Sequence, residues 1–164
     1  MEKMKLAIHK GADAELELGG LRFRACRREI DDIDGGVTLL VLGPIGADDS
    51  EELLRFDCFR KRPHYHAPAE NRAETKIDPV DHGDGREWVF AQLATNSQGL
   101  LEEAGRASLS PEVDADALVD LAPRLRALVE TLAEPTETTY FDIDPAILRG
   151  LATDSRAEAD GSQT

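Results

Sequence analysis

The residue types best suited to chemistry lie together between positions 55 and 70. Arg55-Phe56-Asp57-Cys58-Phe59 is followed by Arg60-Lys61-Arg62-Pro63-His64-Tyr65-His66-Ala67-Pro68-Ala69-Glu70, and three of the 4 histidines fall between His64 and His82. Alternate side chains of an extended segment share a face, so His64 and His66 project to the same side about 7 Å apart. Two imidazoles at that spacing can share one metal ion or flank one anion, and Glu70 offers a carboxylate four positions on. His64, His66 and Glu70 are therefore the candidate ligands of a divalent metal. Both rings are expected to emerge side by side into an open, polar hollow.

The arginines suggest a second chemistry. With the strands around residues 21–28 and 53–59 in one sheet, Arg22, Arg24 and Arg55 share its non-core face, and Arg60, Lys61 and Arg62 stand at its end beside the histidines. Arginine forks hold phosphate bidentately, and a histidine pair near neutral pH supplies one base and one acid, enough for metal-independent RNA cleavage. Arg22, Arg24, Arg55, His64 and His66 form the candidate anion-binding set. The same arginines also read as cross-strand ion pairs with Glu15, Glu17 and Asp57 on a solvated face, each worth little. Cys58 lies near His64, but alternation turns it toward the core, where thiols are inert. Asp78, Asp81, His82 and Asp84 could ligate a divalent ion, although they lack the spacing of a calcium loop and their turn-forming chemistry explains all four. Phosphate-loop and dinucleotide glycine motifs are missing, as is a serine in a nucleophile elbow.

These residues need elements to position them, and the first half of the chain supplies strands. Ala14-Glu15-Leu16-Glu17-Leu18 alternates strictly, Gly19-Gly20 makes a tight turn, and Leu21 to Arg28 alternates again as the second arm of a hairpin. Asp31 to Gly36 reads as a loop. Val37 to Leu42 is apolar on both faces, as a central strand requires. After a loop at Gly46–Ser50, Leu53 to Phe59 forms another strand, with Leu54, Phe56 and Cys58 on one face and Arg55 and Asp57 on the other.

The second half supplies helices. Asp84-Gly85-Arg86-Glu87 is a capping box opening a helix that carries Trp88, Val89, Phe90, Leu93, Leu100 and Leu101 and stops at Gly105. Leu118, Leu121, Leu125, Leu128 and Leu132 form an apolar stripe that Pro123 must break near Asp120. That stripe either closes the core or pairs two copies of the chain into a homodimer through Leu118–Leu132. Residues 138–143 read as a late strand, Asp144-Pro145 opens a short helix that Gly150 closes, and residues 153–164 read as a disordered tail. The expected fold is α+β: an antiparallel sheet of about four to six strands packed on the helix from Gly85 to Ala104, with additional C-terminal helices. One domain spans 1–152, sheet-forming over 12–77 and helical over 84–152.

Two resemblances follow from these residues. His64, His66 and Glu70 resemble the first half of the cupin metal motif, but Cys58 and Ile77 stand where its glycines belong, no second motif follows, and helices replace its later strands. The string Arg55-Phe56-Asp57-Cys58-Phe59, then Pro63-His64-Tyr65-His66, Asp78-Pro79 and Glu87-Trp88-Val89, resembles an uncharacterised prokaryotic domain family of small cytosolic proteins, a domain of unknown function. The resemblance spans Leu21 to Gly105. It implies an α+β domain with a histidine-bearing strand end, an extension from Pro111 onward, and no established activity.

Composition narrows the classes. The 164 residues are 41% hydrophobic and 32% charged, enough apolar surface for a folded core. No uninterrupted apolar run reaches the ~18 residues of a membrane span, and the two cysteines are too few for a disulfide scaffold or a thiolate zinc site, so a cytoplasmic protein with reduced thiols is expected. The net charge of -14 opposes general binding to nucleic acid or to anionic membranes. Residues 1–77 hold 13 basic against 15 acidic side chains and residues 78–164 hold 6 against 18, so the acid is concentrated in the helical half. Without a complete catalytic constellation, the sequence is read as a binding or protein-interaction module, and second as a small hydrolase, metal-assisted or ribonuclease-like, using His64 and His66.

Overall fold

The structure is a computed structural model and describes residues 4–43, 51–71, 73–78 and 83–153. Among them, strands β1 (Met4–Lys10), β2 (Ala14–Leu18), β3 (Leu21–Ile30), β4 (Asp34–Leu42), β5 (Glu52–Phe59), β6 (His64–His66), β7 (Thr75–Lys76) and β8 (Glu137–Ile143) form one 8-stranded sheet. Its order is β7-β6-β5-β4-β3-β1-β8, with β2 also beside β3, and every pairing is antiparallel. Helices α1 (Gly85–Glu103), α2 (Leu121–Glu130) and α3 (Pro145–Thr153) follow, with 3-10 turns at Ala107–Glu112 and Ala117–Asp120. The fold is α+β, as composition and periodicity imply.

The length of β3 organises the sheet. Its first half pairs with β2 from Leu18↔Leu21 to Ala14↔Ala25, and its second half pairs with β1 from Lys10↔Arg28 to Ile8↔Ile30. Both partners use the same edge, so β1 and β2 lie end to end along it. At the β2–β3 turn, Gly19 and Gly20 have φ of 64° and 83°, the left-handed pair that a tight two-residue hairpin demands. On the opposite edge β4 pairs with β3 over its whole length, then with β5.

One face of this sheet is greasy and the other is not. Leu21, Phe23, Ala25, Val37, Leu39, Val41, Leu54 and Phe56 pack with Val89, Phe90, Leu93, Leu101 and the α2 residues Leu121, Leu125 and Val129 in one core. Burying each large side chain contributes about 1.5–3 kcal/mol. The α1 helix starts at Asp84, whose carboxylate accepts from Glu87 N at 3.0 Å; it bends at Asn96 (φ -138°, ψ 28°). Only half of the expected capping box forms, because Glu87 turns to Arg126 at 3.1 Å instead of reaching back. Pro123 stands in the first turn of α2, where its missing N–H costs no helical bond, and the stripe divides there into a 3-10 turn and a helix. Leu118, Leu121, Leu125 and Leu132 are buried within the same chain.

Several boundaries differ from the sequence-based expectation. The sheet is wider than four to six strands and reaches outside residues 12–77, because β8 returns to pair with β1 from Met4↔Ile143 to Lys10↔Glu137. β4 begins at Asp34, inside the expected loop, since Gly35 and Gly36 let the backbone follow β3 closely. α3 continues past Gly150 to Thr153. Pro44 and the Gly46–Ser50 loop, the Asp81-His82 turn, and the tail from Asp154 lie outside the described residues. Among the described residues no helix is long and apolar enough to cross a membrane.

Candidate metal centre

A single hairpin, β5–β6, builds the site. Tyr65 is locked on the helix side: its ring stacks on Phe56 with centroids 5.3 Å apart, tilts against Trp88 at 6.1 Å, and its hydroxyl donates to Glu103 Oε1 at 2.8 Å. With Tyr65 fixed, the pleat sends His64 and His66 to the opposite face. Register places Asp57 directly across from His64, and Arg55 across from His66. The connection is pinned by Asp34, a buried carboxylate that accepts from the backbone N–H of Gly35 (2.8 Å), Lys61 (2.9 Å) and Arg62 (2.9 Å). Three charge-assisted bonds to one carboxylate fix the path of the chain just before the histidines.

The geometry around Asp57 defines the chemistry. Its Oδ1 accepts from the Thr38 hydroxyl at 2.7 Å, and Arg55 Nε lies 3.3 and 3.2 Å from Oδ1 and Oδ2. His64 Nε2 is 3.1 Å and His66 Nε2 3.9 Å from Oδ2, and Glu74 Oε2 is 3.4 Å from His64 Nε2. The two rings meet edge to face at 5.1 Å. Each ring is anchored at its other nitrogen: His64 Nδ1 is 2.8 Å from Arg62 O, and His66 Nδ1 is 2.6 Å from Asn71 O. A carbonyl only accepts, so both Nδ1 atoms carry hydrogen and both Nε2 atoms are the ends turned toward Asp57. Backbone carbonyls that fix Nδ1–H in this way are the usual outer partners of metal-ligating histidines.

One donor atom each from Asp57, His64 and His66 lie within 4.8 Å of one another. Ligands about 2.1 Å from a shared ion sit about 3.0–3.4 Å apart in octahedral or tetrahedral geometry, so small side-chain movements close the set. In the metal-free geometry, a proton occupies the same position. Burial disfavours charge on His64, but the hydrogen bond and charge of Asp57, then Arg62 O and Glu74, outweigh it and raise its pKa. Burial likewise pushes Asp57 up, and the bonds and charges of His64, Arg55 and Thr38 overcome it, holding its pKa at about 2. Proton and metal thus compete for one lone pair on His64.

Some expected residues join this centre and others do not. The histidines converge, yet they are mostly covered, with side chains 9% and 15% exposed, rather than standing in an open hollow. Glu70 is not the carboxylate beside them: it is 68% exposed and lies 3.8 Å from Arg106. Arg22 donates to Glu17 at 2.6 Å and Arg24 to Glu15 at 2.7 Å, as cross-strand ion pairs. Arg55 does face the centre. Asp57 as a ligand, Glu74, Thr38 and Arg28, whose Nη1 is 3.9 Å from Asp57 Oδ1, were not among the expected site residues. The signal for Asp57 was present, since pairing two strands joined by four residues brings it opposite His64.

Beside the centre the polar face of the sheet carries a cleft. This cleft, of about 340 Å³, has Cys26, Thr38, Leu40, Arg24, Arg28 and Arg55 on its floor, and β1 and β8 supply Ile8, Lys10, Glu137 and Thr139. Burial and then the Arg55 charge lower Arg28 below the usual guanidinium value. Neither thiol is poised to attack: burial raises Cys26, and burial with the adjacent Asp57 charge pushes Cys58 up to about 12.

The architecture is that of an α+β domain whose polar sheet face carries a histidine–carboxylate cluster. Residues 15–130 match the family described as a domain of unknown function, DUF7700, and the chain belongs to that family. The match extends beyond Pro111, so α2 belongs to the family domain instead of an extension. No curated protein and no solved structure matches the chain.

Proposed function

We propose that this domain is a binding module for a divalent transition-metal ion held by Asp57, His64 and His66, with Glu74 beside them. The observation that carries this is the orientation of the rings: both Nδ1–H groups are spent on backbone carbonyls at 2.8 and 2.6 Å, and both Nε2 atoms face one buried carboxylate. Imidazole and carboxylate donors suit zinc, iron, cobalt, nickel or manganese better than calcium. Metal-assisted hydrolysis is the second reading, favoured by the ligand count: three protein ligands leave coordination positions for water and substrate. A homodimer through Leu118–Leu132 would have to use Val119 and the partly covered Leu128, since Leu118, Leu121, Leu125 and Leu132 are buried in their own chain.

Calorimetric titration with Zn²⁺ tests the proposal. One ion per chain is expected. Asp57→Asn and His66→Ala are expected to weaken binding by more than the roughly 10–100-fold that loss of an outer partner brings, and Glu70→Ala is expected to bind as wild type. Uptake that depends on Glu70, or that survives both Asp57→Asn and His66→Ala, contradicts the assignment.

A further inference from the structure

Resting on the metal centre above, we propose that the cleft beside it binds a small molecule carrying one phosphate-type oxyanion, gripped by Arg28 and Arg55 as it takes an open position on the ion. Charge is the first argument. Among the described residues, three guanidinium groups, Arg28, Arg55 and Arg62, and two carboxylates, Asp57 and Glu74, stand around the centre. Arg62 is matched to Glu74 at 2.9 Å, whereas Arg28 and Arg55 share the Asp57 carboxylate with His64. A dication added there leaves surplus positive charge at one point of a chain whose net charge is -14. An oxyanion is the ligand that restores balance.

Geometry is the second. Arg28 and Arg55 both line the cleft and both pair with the Asp57 carboxylate, at 3.9 and 3.2 Å, so these two arginines link the cleft to the centre. The Arg28 contact, at 3.9 Å, is an ion pair longer than a hydrogen bond, leaving room for its N–H fork to grip a closer acceptor. Arg24, by contrast, is already held by Glu15 at 2.7 Å. A tetrahedral oxyanion has enough oxygens to meet an ion and two guanidinium forks at once, which a carboxylate with two does not. About 340 Å³ is the size of a small-ligand pocket. The cleft also carries Asp13, Glu52 and Glu137, of which Asp13 is bound to Lys10 at 2.9 Å. Those carboxylates repel a polyanion, so a ligand anionic at one end and neutral or cationic elsewhere fits, and a nucleic-acid strand does not.

The experiment titrates inorganic phosphate, with acetate as the carboxylate arm, into protein freed of excess metal, both zinc-loaded and metal-free. Zinc stoichiometry is measured on the same samples. Phosphate is expected to bind the loaded form at least about tenfold more tightly than the metal-free form and than acetate binds. Arg28→Gln is expected to lose that binding about tenfold or more while retaining one zinc per chain. Zinc-loaded protein that ignores phosphate, binds it no better than the metal-free form or than acetate, or binds it equally well as Arg28→Gln overturns this proposal alone. A chain that takes up no zinc overturns the metal centre and this proposal with it.

Discussion

Asp57 is a nearly buried carboxylate asked to satisfy a hydroxyl, two arginines and two imidazoles at once. Its depressed pKa reflects that crowding, and a cation bound there takes the place of the His64 proton on Oδ2. The chemistry of the cysteines runs the other way. Cys26 is buried on the cleft floor and its pKa is raised by burial from 9.0. The fold therefore favours the neutral thiol, and the stability it adds is present below the unfolded value and lost as pH rises through the folded one. Alkylation of Cys26 by iodoacetamide at pH 8 is expected to run roughly tenfold or more slower in the native chain than in denaturant; equal rates would show an accessible thiolate. At this scale the sequence was half legible. Alternation placed Arg55 and Asp57 on one polar face and the two histidines on a common side, but only the hairpin register brings Asp57 opposite His64, and proximity in sequence pointed to Glu70 instead.

Elements carry the positioning. Asp34 pins residues 61 and 62, Tyr65 clamps β6 to α1, and together they leave His64 little freedom. Asp34→Ala strands three backbone donors next to the site, so a loss of roughly 3 kcal/mol in denaturant unfolding is expected; a loss within 0.5 kcal/mol would mean that solvent takes over those bonds. The long alternating strands and the helix from Gly85 were readable because each has its own periodicity. β1 and β7 were not, since β1 is bordered by charged residues at both ends and β7 is two residues long. Asp34 was hidden for a different reason: in Asp31-Asp32-Ile33-Asp34-Gly35-Gly36 every residue is a turn former except one, and only pairing to Ile30 turns Asp34 into the start of a strand.

At the scale of the molecule, one core joins the sheet to α1 and α2, leaving the opposite face of the sheet for polar work. A continuous core predicts one cooperative transition: Leu125→Ala, at a position with no exposed surface, is expected to cost about 3 kcal/mol. The far-ultraviolet circular dichroism and Trp88 fluorescence midpoints should then fall together; separate midpoints would reveal two folding units. The uneven charge has a place in this plan, for acid gathers in the helical half while Arg28 and Arg55 meet at Asp57 on the sheet. The most direct measurement is a nitrogen-15 side-chain spectrum of the histidines with and without one equivalent of Zn²⁺. On binding, the Nε2 resonances of His64 and His66 should move to the metal-bound region while both Nδ1 atoms keep their hydrogens. Nε2 resonances that stay where they were, or coordination through Nδ1, would contradict the centre described above.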